Sequence, residues 1–244
     1  MTLPVKTLNA VPPSPARILM GVGIVLLSAC GEPGGGAPAR DRAPAVAATH
    51  GAAAATGDRP AIVFLGTSLT AGYGLDPDSA YPAVVQRLTD SAGLDYEVVN
   101  AGVSGESSAG ALRRVEWVLR GKPAVLVIET GANDGLRGQD PDSIRANIQA
   151  MLDRTREKSP GTMIVLASME AMPNLGADYI RRFRAIYPAL ANANRVPLLR
   201  FILDGVAGVD SLNQDDGIHP NSAGARIVAA TVWRGLEPLL ERRP

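Results

Sequence analysis

The chain has almost no cysteine, little histidine and no net charge. Cys30 is the only cysteine, so no intrachain disulfide can form. Lys and Arg together number 24, as do Asp and Glu, so no broad basic surplus points to nucleic acid. The pairs Arg113–Arg114 and Arg181–Arg182 fall in helix-like segments and read as solvated faces. The apolar stretch from Ile18 to Ala29 falls short of the roughly 20 residues that a membrane-spanning helix needs. Of the two histidines, His50 lies in a low-complexity segment, which leaves His219 as the one imidazole of the folded part. Against these absences, 46% of the 244 residues are hydrophobic and 20% charged, a balance that suits one globular domain with a substantial core.

The first 60 residues carry the signs of export. Lys6 and Arg17 precede the Ile18–Ala29 stretch without an acidic residue, and the stretch has the length of a signal-peptide core. It ends in Leu27-Ser28-Ala29-Cys30, which resembles the bacterial lipobox. That resemblance implies cleavage before Cys30, lipid on its thiol, and anchoring to the cell envelope without a transmembrane helix. Gly31, where Asp is associated with inner-membrane retention, turns the expectation towards the outer membrane; either way the domain is periplasmic or on that membrane. Residues 1–29 thus read as a leader, and 30–59 as the lipidated cysteine followed by a Gly/Ala/Pro tether.

From residue 60 to 244 the pattern becomes that of a folded domain. Short β-rich runs at Ala61–Leu65, Tyr96–Val99, Ala124–Glu129, Met163–Ala167 and Val196–Phe201 alternate with helical stretches. The helices are expected near Tyr81–Ser91, Ser108–Arg120, Pro141–Lys158, Ala177–Asn194 and Ser222–Leu240. Such alternation predicts an α/β domain, a five-stranded parallel sheet with helices on both faces in a flavodoxin-like, doubly wound, three-layer arrangement. Ligands bind beyond the carboxyl ends of the strands in such folds. Ser68 follows the first strand, Asn100–Glu106 the second and Gly131–Gly135 the third, while Asp215–Pro220 comes after the fifth. All four segments should open on one rim. No dimer seam stands out, and a monomer is expected.

Those segments hold the parts of an acyl-transfer site. A serine hydroxyl needs a base, the base needs an orienting group, and the developing oxyanion needs donors. Ser68 can be the nucleophile or can cap the helix that follows it. His219 is the available base, and Asp216 sits three residues before it, on the same side of a turn leading into a helix. The backbone N–H groups of Ser68 and Gly105 and the amide of Asn133 can supply the oxyanion donors.

This ordered set resembles the SGNH hydrolases, also called the GDSL family, over residues 62–240. The matching blocks are Gly66-Thr67-Ser68-Leu69, the Gly105 segment NAGVSG, Gly131-Ala132-Asn133-Asp134 and Asp216-Gly217-Ile218-His219. The longer stretches TAGYGL, VVNAGVSGE, GANDGLRG and DDGIHPN are similar to the bacterial arylesterase and thioesterase I (lysophospholipase) branch. The resemblance implies a triad of Ser68, Asp216 and His219 and an oxyanion hole of Ser68, Gly105 and Asn133. It also implies a loop with Asp134, Gly135, Leu136 and Arg137 that helps close over acyl chains, beside Leu69. A metal or organic cofactor is not required, and the substrate is a small acyl ester or thioester. The segments Leu69–Leu75 and Met169–Leu175 are expected to shape the pocket. Three alternatives stay open: a lysophospholipase or acyl-CoA thioesterase, a carbohydrate O-deacetylase, and a surface lipoprotein that binds lipid or glycan without catalysis. One position departs from the family pattern, Thr67, where Asp is usual.

Overall fold

A computed structural model describes residues 59–242. The leader, Cys30, His50 and the tether up to residue 58 lie outside the described residues. Five parallel strands form one sheet: β1 Ala61–Gly66, β2 Glu97–Gly102, β3 Val125–Ile128, β4 Met163–Ala167 and β5 Leu198–Leu199. Their spatial order is β2-β1-β3-β4-β5. Successive connections therefore run first to one side of β1 and then to the other, and the reversal leaves a crevice at the carboxyl ends of β1 and β3. In register, Ile62 lies beside Val98 on one side and Val125 on the other.

Seven helices join the strands: α1 Ser68–Ala71, α2 Tyr81–Ser91, α3 Ser108–Leu119, α4 Ala132–Leu136, α5 Pro141–Lys158, α6 Ala177–Asn194 and α7 Ser222–Leu240. α2 packs on α7, while α3 packs on α5 and α5 on α6. This gives the sheet two helical covers and explains why every residue of β1 and β3 is buried. In α5, Ile144, Ile148, Met151, Leu152 and Thr155 recur at helical spacing and form its buried stripe. They complete the core with Phe64, Leu126, Leu166, Phe183 and Tyr187. Each such aliphatic or Phe side chain contributes about 1.5–3 kcal/mol on burial.

Two strands differ from their expected limits by more than one residue at an end, each for a local reason. β5 covers only two residues instead of Val196–Phe201. It is the edge strand, Pro197 has no N–H to donate, and Leu198 is half exposed. β2 runs on to Gly102 because its end is held from above. The Asn100 amide donates to Thr70 O at 2.8 Å, and a Cβ on Gly102 would stand 2.2 Å from Ala71 N. The carboxyl end of β2 is thus the floor on which α1 rests.

Candidate active site

The first element of the site is the turn out of β1. Thr67, not Ser68, holds the N-cap position of α1, and it makes no side-chain capping bond. Ser68 is the first helical residue and is partly exposed at the rim, whereas Thr67 and Thr70 are buried. Their side chains turn down to the carboxyl group of Glu129, the residue after β3. Thr67 donates its N–H to Glu129 Oε2 at 2.8 Å and its hydroxyl to Oε1 at 2.9 Å. Thr70 donates its hydroxyl to Oε2 at 2.9 Å. Its oxygen lies 2.7 Å from the Tyr81 hydroxyl, which is left to act as donor to it.

The imidazole that faces Ser68 comes from far along the chain. Asp216 Oδ1 accepts the backbone N–H groups of Ile218 and His219, both at 2.9 Å, and this closes a tight turn. Gly217 within it has φ +68°, a conformation that suits glycine. Asp216 Oδ2 lies 2.6 Å from His219 Nδ1, and His219 Nε2 lies 2.9 Å from Ser68 Oγ. An ionised carboxylate only accepts, so Nδ1 carries the proton and Nε2 is free to accept from Ser68. The backbone and ring donors of His219 and the Ile218 N–H hold the Asp216 carboxyl down from 3.8 to about 2. Gln214 joins the two halves of the site: its amide donates to Tyr73 O at 2.7 Å and to Pro220 O at 3.0 Å. Tyr73 lies over the imidazole with ring centres 4.6 Å apart.

The donor groups face the same rim. Gly105 has φ +77°, and the Arg137 guanidinium donates to its carbonyl at 2.9 Å, which orients the peptide. Among the described residues, neither the Ser68 N–H nor the Gly105 N–H meets an acceptor. Asn133 sits in the first turn of α4 and donates one amide hydrogen to Glu106 O at 3.0 Å, leaving the second for another acceptor. Glu106 is itself gripped by Arg114 from α3, whose Nε and Nη2 reach the carboxylate at 2.6–2.9 Å. Arg114 Nη2 also donates to Gly66 O at 3.2 Å. The β1 turn and the Glu106 turn are therefore held by one guanidinium.

The residues expected beside the substrate divide between two places. Leu69 lines a small apolar hollow with Ser68, Tyr73, Leu75, His219 and Val228. Leu136, the last residue of α4, is exposed and does not line that hollow. Asp134 turns inward instead: Ser108 at the start of α3 donates its N–H at 2.8 Å and its hydroxyl at 2.7 Å to that carboxylate. Gly135 faces Phe183. In the Met169–Leu175 segment Met169 is buried and Met172 exposed, and neither lines the hollow. Sequence reasoning passed over Glu129 and read Arg114 as part of a solvated face, whereas its side chain is only 18% exposed and is bound to Glu106 and Gly66 O. A carboxylate at the end of a fully buried apolar strand was the available signal for Glu129. Arg114 carried no signal, since its partners meet it only in three dimensions.

Known proteins resemble this chain in sequence and in fold. A family described as GDSL-like lipase/acylhydrolase matches residues 64–227. The chain is 39% identical to Esterase TesA of Pseudomonas aeruginosa over 180 residues, which cover 73% of this chain and 89% of that protein. It is 35% identical to the thioesterase 1/protease 1/lysophospholipase L1 of Escherichia coli K12, covering 73% and 84%. Among solved structures, the psychrotrophic esterase EstA from Pseudoalteromonas sp., inhibited by monoethylphosphonate, superposes with a TM-score of 0.70. The identity is 30%, covering 75% of this chain and 99% of that one. With its five-stranded parallel sheet and these relatives, the chain belongs to the GDSL-like lipase/acylhydrolase family, the hydrolases of ester and thioester bonds.

Proposed function

We propose that the chain is a serine esterase for carboxylic esters and thioesters with aryl or short-to-medium acyl groups, acting through an acyl-enzyme. The unbroken hydrogen-bond line from Ser68 through His219 to Asp216 carries this reading. Ser68 Oγ attacks the carbonyl carbon as its proton passes to His219 Nε2, and Asp216 stabilises the imidazolium. The oxyanion accepts from the Ser68 and Gly105 N–H groups and the free amide hydrogen of Asn133, each such donor being worth roughly 2.7–4 kcal/mol of barrier. Collapse breaks the bond to the leaving alcohol or thiol, which takes the proton from Nε2. A water then gives its proton to His219 Nε2 and attacks the acyl carbon; the bond to Ser68 Oγ breaks, the proton passes from Nε2 to that oxygen, and the acid leaves. No step calls on a metal or organic cofactor.

The apolar hollow beside Ser68 is small, which supports a small acyl group. The phosphonate-inhibited relative supports a nucleophilic serine, since a phosphonate mimics the tetrahedral intermediate. The names thioesterase and lysophospholipase borne by a relative favour a second reading on the same site, with longer acyl groups. A panel of p-nitrophenyl esters of rising chain length, with acyl-CoA, lysophospholipid and acetylated sugars beside them, separates these readings. Ser68→Ala is expected to keep the unfolding midpoint and lose ester hydrolysis. Turnover at the wild-type rate in that variant would remove Ser68 as nucleophile.

The lipobox-like stretch supports lipidation of Cys30 and attachment to the bacterial envelope. Cys30→Ala is then expected to move the protein from the detergent phase to the aqueous phase on phase separation. A wild-type protein already in the aqueous phase contradicts the anchor.

A further inference from the structure

Two acidic side chains are buried among the described residues, Asp134 and Glu129. Asp134 is accounted for by the start of α3. Glu129 makes no ion pair, and its side-chain bonds go to the two threonines that flank Ser68 and Leu69. Gly66 leaves room for this arrangement: a Cβ there would stand 1.9 Å from Thr70 Oγ1 and 2.7 Å from Glu129 Oε2. The turn bearing Ser68 is thus pinned from below on both sides by one carboxyl group. The Tyr81–Thr70 contact extends the pin into α2.

We propose that Glu129 is a positioning residue, which acts through Thr67 and Thr70 to fix the turn that presents Ser68 Oγ to His219. This rests on the reading of Ser68 as the nucleophile. The clamp as built needs an acceptor at both carboxyl oxygens. A protonated carboxyl must donate at one of them, and the Thr67 N–H cannot accept, so protonation reverses or breaks a bond of the clamp. Burial pushes the Glu129 carboxyl up from 4.5 to about 7, against the pull of its threonine donors, so the clamp changes state near neutral pH. The titratable groups facing it are Tyr81 from α2 and Tyr187 from α6, both kept neutral by burial. Arg114 of α3 is engaged by Glu106 and Gly66 O, and Asp134 of α4 by Ser108.

The test measures kcat and KM separately on a soluble p-nitrophenyl ester across the neutral range, for wild type, Ser68→Ala, Glu129→Ala, Glu129→Gln and Thr67→Asp. Glu129→Ala is expected to lower kcat by about tenfold or more through loss of orientation, with KM changed by less than about twofold, because Glu129 does not line the hollow. Glu129→Gln should restore most of kcat: its carbonyl can accept from Thr67 N–H and Thr70, and its amide can donate to Thr67 Oγ1. It should also lose one ionisation from the wild-type profile. Thr67→Asp sets a second carboxyl against the first, so the pair shares a proton and that ionisation moves to higher pH. A Glu129→Gln profile superimposable on the wild type overturns the inference, as does a wild-type kcat in Glu129→Ala. If Glu129→Ala does not fold, the Glu129→Gln profile decides alone. Wild-type turnover in Ser68→Ala removes the nucleophile and this inference with it. An inactive Ser68→Ala beside an unchanged Glu129→Gln profile removes this inference only.

Discussion

Glu129 links the site to the stability of the fold. Its carboxyl titrates at about 7 in the native state against 4.5 for an ordinary glutamate, so the native chain holds that proton more tightly than the unfolded chain does. Stability from this group is fully present below about 4.5 and is lost as pH rises to about 7, a change of about 3 kcal/mol. Glu129→Gln does not titrate, so its stability relative to wild type should rise between pH 4.5 and 8. Chemical denaturation of both proteins at the two pH values checks this, and a constant difference contradicts it. Asp216 has the opposite sign. Its native value of about 2 lies below 3.8, so its contribution is present above 3.8 and fades as pH falls towards 2. The side chain is 37% exposed, and water screens most of that effect. At the rim, Asn133→Ala should lower kcat by about 10²–10³, as loss of an oxyanion donor does. Steady-state kinetics at saturating ester reads this directly, and an unchanged kcat rules the amide out as a donor.

At the scale of elements, the site is carried by strand ends whose glycines are fixed by what lies beside them. Gly102→Ala would drive a methyl group into the backbone of Ala71 and should destabilise the fold by roughly 1–3 kcal/mol, read as a lower denaturation midpoint. Arg114→Ala should cost about 3 kcal/mol or more on the same measurement, because it leaves the Glu106 carboxylate, 9% exposed, without its partner. The longer elements were legible from pattern: α2, α5, α6 and α7 occupy their expected residues, and β4 its expected strand. α4 was not, and α1 only as a helix start at Ser68, because four or five residues give no helical period to detect. β5 was overestimated because an apolar run does not reveal that it lies at the sheet edge. Ser68, His219 and Asp216 could be singled out because strand ends are where α/β sheets place ligands, and because one histidine remained. The clamp of Thr67, Thr70 and Glu129 could not, since the strand that supplies Glu129 is brought beside β1 only by the sheet order.

At the scale of the molecule, the residues that form the site lie between Gly66 and Val228. A chain beginning at Arg59 should therefore retain p-nitrophenyl ester hydrolysis within about twofold of the full-length protein, since the hydrogen-bond line from Ser68 to Asp216 is made within residues 59–242. A loss of tenfold or more would show that the first 58 residues take part. His219 stands 151 residues downstream of the Ser68 hydroxyl it faces, and α7, which follows it, packs on α2. At a synthesis rate of about 5–20 residues per second, Ser68 leaves the ribosome roughly 8–30 s before His219. Throughout that interval the nascent chain carries a serine without its imidazole. On the proposed mechanism hydrolysis requires that the segment bearing His219 has docked, so the onset of ester turnover reports that step of folding.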